Sequence, residues 1–453
     1  MTQSTLSRRT FLMGAASVAG LSLLSACVTP ASPAASSSAA EASVGALGDN
    51  LLEVEYWHRI GGDAAALLEQ FAAEFSEEHA GQISLTSISQ GNIQELNQKI
   101  RAAAAGGGLP AVTMADDYDV TQYTASGILV ALDEYIADGN YGLTTAQIDD
   151  ILPNQFNRHK LPIYDNKTMA FTQGFSAFTT FWNQDLLTSA GFDARVSSWD
   201  EFPDQVRAVA AANPDAVGWL IAGAGDRFIS TLKTYGVEWL KEGGEESNFD
   251  APETLEIMTW WRELADEGLL AVDNENARNA YMAGQCAYWM DSSGNTARFS
   301  AEIGAFAWNG GMPPQRTPAG SPLVTETYGP VNALPKSNPE QQVAGWLWMK
   351  WLLRPENHAR YATATNYFPA TKSAIESAAL QAYYDTNPTA RRLVDEVAPH
   401  ATILPPSPAL TEVRGQITAN VVNEVLLKQL SPEEGARKLK AEADRAIQNA
   451  LGA

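Results

Sequence analysis

The chain has 453 residues, with 53 Asp and Glu against 30 Lys and Arg and a formal net charge of −23. That length accommodates two domains of ordinary size. So acidic a surface repels phosphate backbones and anionic headgroups, which argues against nucleic-acid binding and against a basic membrane-binding face. The two cysteines, Cys27 and Cys286, are too few for a disulfide framework.

The N-terminus reads Ser7-Arg8-Arg9-Thr10-Phe11-Leu12, then an uncharged Ala/Gly/Leu run, then Leu24-Ser25-Ala26-Cys27. A basic stretch, an apolar stretch and a small-residue processing site form a targeting segment over residues 1–27, which takes no part in the fold. The paired arginines resemble a twin-arginine export signal, with the general secretory route as the alternative. Leu-Ser-Ala-Cys resembles a lipobox, so Cys27 is the expected lipidation site. The run is short and weakly apolar for a span of about 20 residues. Residues 28–50 are mostly Ala, Ser, Pro, Thr and Gly, too poor in apolar content to fold. They read as a tether of roughly 25 Å root-mean-square span.

From residue 51 the pattern turns globular. Residues 51–57 alternate apolar and acidic, as a strand does. Helical spacing follows over 64–75, a strand over 83–88, a helix over 93–105 stopped by Gly106-Gly107-Gly108, and a strand over 111–114. Alternation of this kind predicts a parallel α/β sheet. Ligands bind outside the carboxyl ends of such strands, which places residues 57–63 and 116–119 at one rim, with Trp57, His58, Asp63, Asp117 and Tyr118 as its candidate contacts. A β-prone run over 168–182 is broken at Gly174. Ser198 and Glu201 read as a capping box opening a helix. Strands are expected over 217–222, 287–290 and 327–334, and helices over 252–267, 277–283, 339–353, 411–429 and 432–451. Cys286, in an apolar phrase, reads as a buried inert thiol.

Several catalytic signatures are missing. There is no HExxH and no close His pair, so no metal is expected; there is no nucleophile elbow, and Gly106-Gly107-Gly108 lacks the Lys-Ser/Thr of a P-loop. Paired carboxylates leave a glycosidase as an alternative of a different class. Aromatics recur beside polar residues near strand ends, among them Trp57, Trp182, Trp219, Trp289 and Tyr328. Any single one is more simply a core residue. Together they fit a carbohydrate site, where sugar faces pack on rings and Asp, Arg and Asn bind hydroxyls.

Six phrases in order now carry a resemblance. They are Tyr56-Trp57-His58; Ala104-Ala105-Gly106 with Leu109-Pro110-Ala111-Val112; Phe181-Trp182-Asn183-Gln184-Asp185 with Ala190-Gly191; Ser198-Trp199-Asp200-Glu201-Phe202; Tyr281-Met282-Ala283-Gly284; and Pro355-Glu356-Asn357 with Tyr367-Phe368-Pro369-Ala370. From about residue 51 onward the chain resembles the family 1 extracellular solute-binding proteins of ABC importers, nearest their sugar and glycerol-3-phosphate branch. The resemblance implies an α/β, two-lobed periplasmic-binding-protein-like fold of type II. Its lobes are discontinuous: 51–172 plus about 305–366, and 173–304 plus about 367–453. It implies closure of the lobes on a ligand, delivery to ABC permease subunits, a lipid-anchored extracytoplasmic location, a monomer, and neither enzyme activity nor a cofactor. By position it assigns the ligand to Asp117, Ser176, Ser292 or Ser293, Gly329, Tyr367 and Arg414. Our reading of the residues adds Asp226, Arg227, Trp289, Asp291 and Tyr328. Ile93 replaces a Tyr of that branch, and the loop 223–227 lacks its tryptophans. An uncharged sugar, oligosaccharide or polyol is favoured over a phosphorylated polyol, because Asp117, Asp226 and Asp291 repel an anion. Asp117→Ala is expected to abolish binding without unfolding the chain.

Overall fold

The structure is a computed structural model that describes residues 44–316 and 321–452. Cys27 and residues 28–43 of the expected tether lie outside these residues; its last residues do not form a free tether, since Val44 and Leu47 pack against the core of the first sheet. One sheet has five strands in the order β2-β1-β3-β11-β4. These are β1 (Leu52–His58), β2 (Ile83–Ser89), β3 (Val112–Ala115), β4 (Ala170–Thr172) and β11 (Val331–Ala333). β1 is parallel to β2 and β3, with Val54 opposite Leu85 and Tyr56 opposite Val112. The helices Gly62–Glu78 and Ile93–Gly106 make the crossovers that parallel strands require. Asn92 and Glu95 close a reciprocal capping box that starts the second of them. The aromatic-rich helix Pro339–Leu352 covers the sheet with Trp346, Trp348 and Trp351 buried. It approaches closely because Gly345 has no side chain; a Cβ there would lie 2.5 Å from the Ala111 carbonyl.

The larger sheet runs β12-β10-β5-β8-β6-β7, with β9 also paired to β5. Its strands are β5 (Ser176–Asn183), β6 (Val217–Ile221), β7 (Leu270–Val272), β8 (Cys286–Ser292), β9 (Trp308–Gly311), β10 (Thr325–Tyr328) and β12 (Ala401–Thr402). Every residue of β5 is buried, so it lacks the charged residues of an exposed strand, and Ser176, Thr179, Thr180 and Asn183 are buried with its apolar residues. Trp199, Phe202, Trp219, Tyr235, Trp260 and Trp261 form one aromatic core on this sheet. Its indoles are fixed by packing and by bonds such as Trp199 Nε1–H to Thr234 Oγ1 at 2.9 Å. Cys286 is buried, and burial pushes its thiol pKa up.

The chain passes between the sheets at Gln173-Gly174-Phe175 and at Gly329-Pro330. Phe175 and Phe368 exchange backbone hydrogen bonds of 3.1 and 2.5 Å beside these crossings. Gly329 sits at φ +101°, where other residues are strained, and a Cβ there would lie 3.3 Å from the Phe175 Cα. This turn splits the strand expected over 327–334 into β10 and β11, which belong to different sheets. β9 and β10, within the range expected for the first lobe, pair in the larger sheet. Two further expectations are corrected. Ser198 is not an N-cap: its backbone bridges to Gln315, and Glu201 precedes the helix Phe202–Ala212. The helix expected over 411–429 is interrupted by a π-helical segment, Val413–Thr418.

Candidate functional site

A cavity of about 320 Å³ lies between the two sheets. Its walls come from the ends of strands, where backbone direction and side-chain alternation aim polar residues at one place. β1 ends into Arg59. β3 ends into Asp116, Asp117 and Tyr118, at the start of the helix Asp117–Ala125. Beyond β6, Gly223 turns at φ +70° into the helix Ala224–Thr234, which carries Asp226 and Arg227. β8 supplies Asp291 and Ser292. Glu326 and Tyr328 sit two residues apart on β10 and so share a face. Gly329, Tyr367, Leu404, Leu410 and Arg414 complete most of the lining.

Every carboxylate in this wall has a cationic partner. Asp116 pairs with Arg59 at 2.8 Å. Asp117 accepts Arg158 Nε–H and Nη2–H and His159 Nε2–H, each at 2.8 Å. Asp291 pairs with Arg227 at 3.1 Å. Arg414 pairs with both Asp226 and Glu326, the latter at 2.5 Å. Arg414 also lies 5.6 Å from the centre of the Tyr328 ring. The Glu326 carboxylate also accepts Ser230 Oγ–H at 2.5 Å. The result is a mosaic of fixed donors and acceptors, with Tyr118, Tyr328 and Tyr367 as ring surfaces.

Burial raises the Asp117 pKa, but the Arg158 charge and the His159 hydrogen bond outweigh it and bring the carboxyl down to about 2. Burial lowers the His159 pKa, so the imidazole is neutral at neutral pH and donates from Nε2. Burial raises the Glu326 pKa against the opposing Arg414 charge. A folded-state pKa below the unfolded carboxyl value of about 3.9 makes Asp117 stabilising above about pH 4. That contribution disappears as pH falls toward 2. The advantage of the wild type over Asp117→Asn in urea midpoint is therefore expected to be constant from pH 7 to 5 and to shrink below pH 4. A constant advantage down to pH 2 would contradict the assignment.

Residues 70–388 match the family described as Bacterial extracellular solute-binding protein. The chain belongs to this family. The solute-binding protein is 22% identical over 357 residues to the sn-glycerol-3-phosphate-binding periplasmic protein UgpB of Salmonella typhimurium, covering 74% of this chain and 78% of the relative. Its fold matches a cyclic alpha-maltosyl-1,6-maltose binding protein from Arthrobacter globiformis at a TM-score of 0.76 and 17% identity, over 88% of this chain and all of the other. It matches UgpB from Mycobacterium tuberculosis in complex with glycerophosphocholine at 0.75 and 21%, over 88% and 99%. The two-lobed α/β architecture of these proteins is the fold of this chain. Among the described residues, no helix is long and apolar enough to cross a membrane, and no three His, Cys, Asp or Glu side chains group as metal ligands.

Of the residues singled out from sequence, the cavity of the solute-binding protein gathers Asp117, Tyr118, Ser176, Asp226, Arg227, Asp291, Ser292, Tyr328, Gly329, Tyr367 and Arg414. Five lie elsewhere. Trp57 donates Nε1–H to Glu55 on its own strand. His58 is buried, and its Nδ1 accepts the Ile60 amide. Asp63 is exposed in the first turn of its helix. Trp289 is a core residue, and the Ser293 hydroxyl accepts the Ala177 amide. Trp182 and Trp219 are also core, so the aromatic pattern at strand ends was chiefly a packing signal. Sequence reasoning placed Arg59 and Asp116 within the rim segments without naming them as contacts, and it missed Glu326, Thr327, Leu404 and Leu410. Period-2 alternation back from Tyr328 marks Glu326, whereas no local signal marks Arg158, whose role depends on Asp117.

Proposed function

We propose that the solute-binding protein captures a small carbohydrate, a sugar, short oligosaccharide or polyol, in this cavity. Lobes built on the two sheets close over the solute, and the closed form presents it to the transmembrane subunits of an ABC permease. The observation that carries this reading is the neutralised polar wall. Five carboxylates and three arginines line the cavity, and each carboxylate is already paired. Such groups keep open hydrogen-bonding positions for hydroxyls, while the tyrosines offer faces for sugar C–H groups. The fold match to a cyclic alpha-maltosyl-1,6-maltose binding protein supports the same class, whereas the two UgpB relatives favour a phosphorylated polyol or glycerophosphodiester. The sheets support a first lobe of residues 51–172 with about 331–366, the remainder of the globular chain forming the second. The lipobox supports anchoring through Cys27 on the outer side of the membrane.

A second reading is a phosphorylated polyol or glycerophosphodiester, favoured by the three lining arginines. An anion there has to compete with carboxylates for guanidiniums that they already hold. A thermal-shift panel of glucose, maltose, maltotriose, glycerol, glycerol 3-phosphate and glycerophosphocholine separates the readings. Ligand at one hundred times its dissociation constant adds about 2.7 kcal/mol, a readily visible shift. Shifts with the neutral sugars are expected. Shifts only with the phosphorylated compounds establish the second reading, and release of product from an oligosaccharide identifies a secreted carbohydrate-active enzyme.

A further inference from the structure

Arg414 reaches the cavity from an unusual piece of backbone. It lies in the π-helical segment Val413–Thr418, with α-helical turns before and after it. π-Turns widen a helix by one residue and recur at functional sites. The segment packs on the helix Ala224–Thr234, and the contact is backbone against backbone at Gly225. A Cβ on residue 225 would lie 2.2 Å from the Arg414 carbonyl oxygen and 2.8 Å from the Ala419 amide nitrogen. Residues 414 and 419 are one π-helical hydrogen bond apart. A side chain at 225 would therefore wedge into the peptide groups that shape the π-turn. Neither atom belongs to a flexible side chain that swings away. The neighbours of Gly225 on its own helix are Asp226 and Arg227, both in the cavity wall.

We propose that Gly225 is the positioning residue for Arg414. The bare backbone at 225 lets the π-turn seat against the helix, and that seating brings the guanidinium between Asp226 and Glu326. Glu326 depends most on it. Its side chain is 2% exposed, and Arg414 is its paired cation. The other groups that face it are Ser230 and Asp226 from the helix and Tyr328 from its own strand. Displacing Arg414 leaves a buried carboxylate without its counter-charge, which favours the protonated acid. The consequence for solute capture rests on the cavity being the solute site. The placement itself is testable with no ligand, so the two ideas fail separately.

The test is the melting temperature of the whole globular chain between pH 5 and pH 8. A buried carboxyl whose folded pKa is raised binds its proton more tightly when folded, so stability falls as pH rises. Gly225→Ala is expected to lie further below the wild type at pH 8 than at pH 5, by several degrees. In the Glu326→Gln background the deficit caused by Gly225→Ala is expected to be the same at both pH values. Gly435→Ala is the control for simple crowding: its Cβ would meet Val425 Cγ2 at 2.3 Å and would touch no cavity residue, and its deficit is expected to be pH-independent. A pH-independent deficit for Gly225→Ala, or a pH-dependent one that persists with Glu326→Gln, overturns the proposal. Should Gly225→Ala be insoluble alone, recovery of folded protein in the Glu326→Gln background supports it, and insolubility in both backgrounds overturns it.

Discussion

Asp117→Ala is expected to destabilise the folded chain by about 3–5 kcal/mol, the cost typical of breaking a buried ion pair from one side. The Arg158 and His159 side chains are each 1% exposed. Asp117 accepts three hydrogen bonds from them. Without the carboxylate, the guanidinium keeps only the Gly329 carbonyl at 2.8 Å as a protein acceptor. The chain is still expected to fold with alanine at 117, at reduced stability. Asp117 both faces the cavity and neutralises a buried cation. Asp117→Asn is expected to cost less, because its carbonyl still accepts one of the three donors. Urea unfolding of both variants at pH 7 measures the difference. A loss below about 1 kcal/mol for Asp117→Ala, in the range of an exposed pair, would mean that Arg158 finds another partner.

Arg227→Ala is expected to weaken capture of a neutral solute by about 2–5 kcal/mol, or roughly thirty-fold to several thousand-fold. Arg227 is largely buried and holds three things at once. Its Nη2 pairs with Asp291, its Nε–H donates to the Ala222 carbonyl at 3.2 Å, and its Nη1–H donates to the Tyr328 hydroxyl at 3.3 Å. The guanidinium also lies 5.7 Å from the Phe178 ring centre. Its loss leaves the Tyr328 hydroxyl on one wall with Ser230 alone, at 2.8 Å, and the Asp291 carboxylate on another without its cation. Arg227→Lys restores the charge without the planar fork, so it is expected to recover only part of the affinity. Isothermal titration with the solute that gives the largest thermal shift provides the readout. Wild-type affinity in Arg227→Ala would remove Arg227 from the binding site.

The same residues show where sequence reading succeeds and where it stops. The alternation of β1 and β2 with their helices was legible because apolar spacing is set by neighbours two to four positions away. The stop at Gly106 is equally local, whereas the capping box read at Ser198 and Glu201 does not form and the one at Asn92 and Glu95 was not read. Asp117, Asp226, Asp291 and Tyr328 were legible because parallel strands direct their carboxyl ends to one side. The same rule over-reached at Trp57, His58 and Trp289, since one register step decides whether a side chain faces the cavity or the core. The strand expected over 327–334 failed for a related reason: a single positive-φ glycine sends its two halves to different sheets.

By itself, then, the sequence determined the α/β alternation, the ends of many helices, the burial of Cys286 and the family to which the chain belongs. Those features are written in short-range periodicity and in ordered local phrases. Only the tertiary structure decided the character of the cavity. Asp117 meets Arg158 across 41 residues of sequence, and Asp226 meets Arg414 across 188. Whether a carboxylate repels a solute or serves as a neutralised acceptor depends on such a partner. An ion pair is set by a separation of a few ångströms in space, and for these pairs folding alone supplies it.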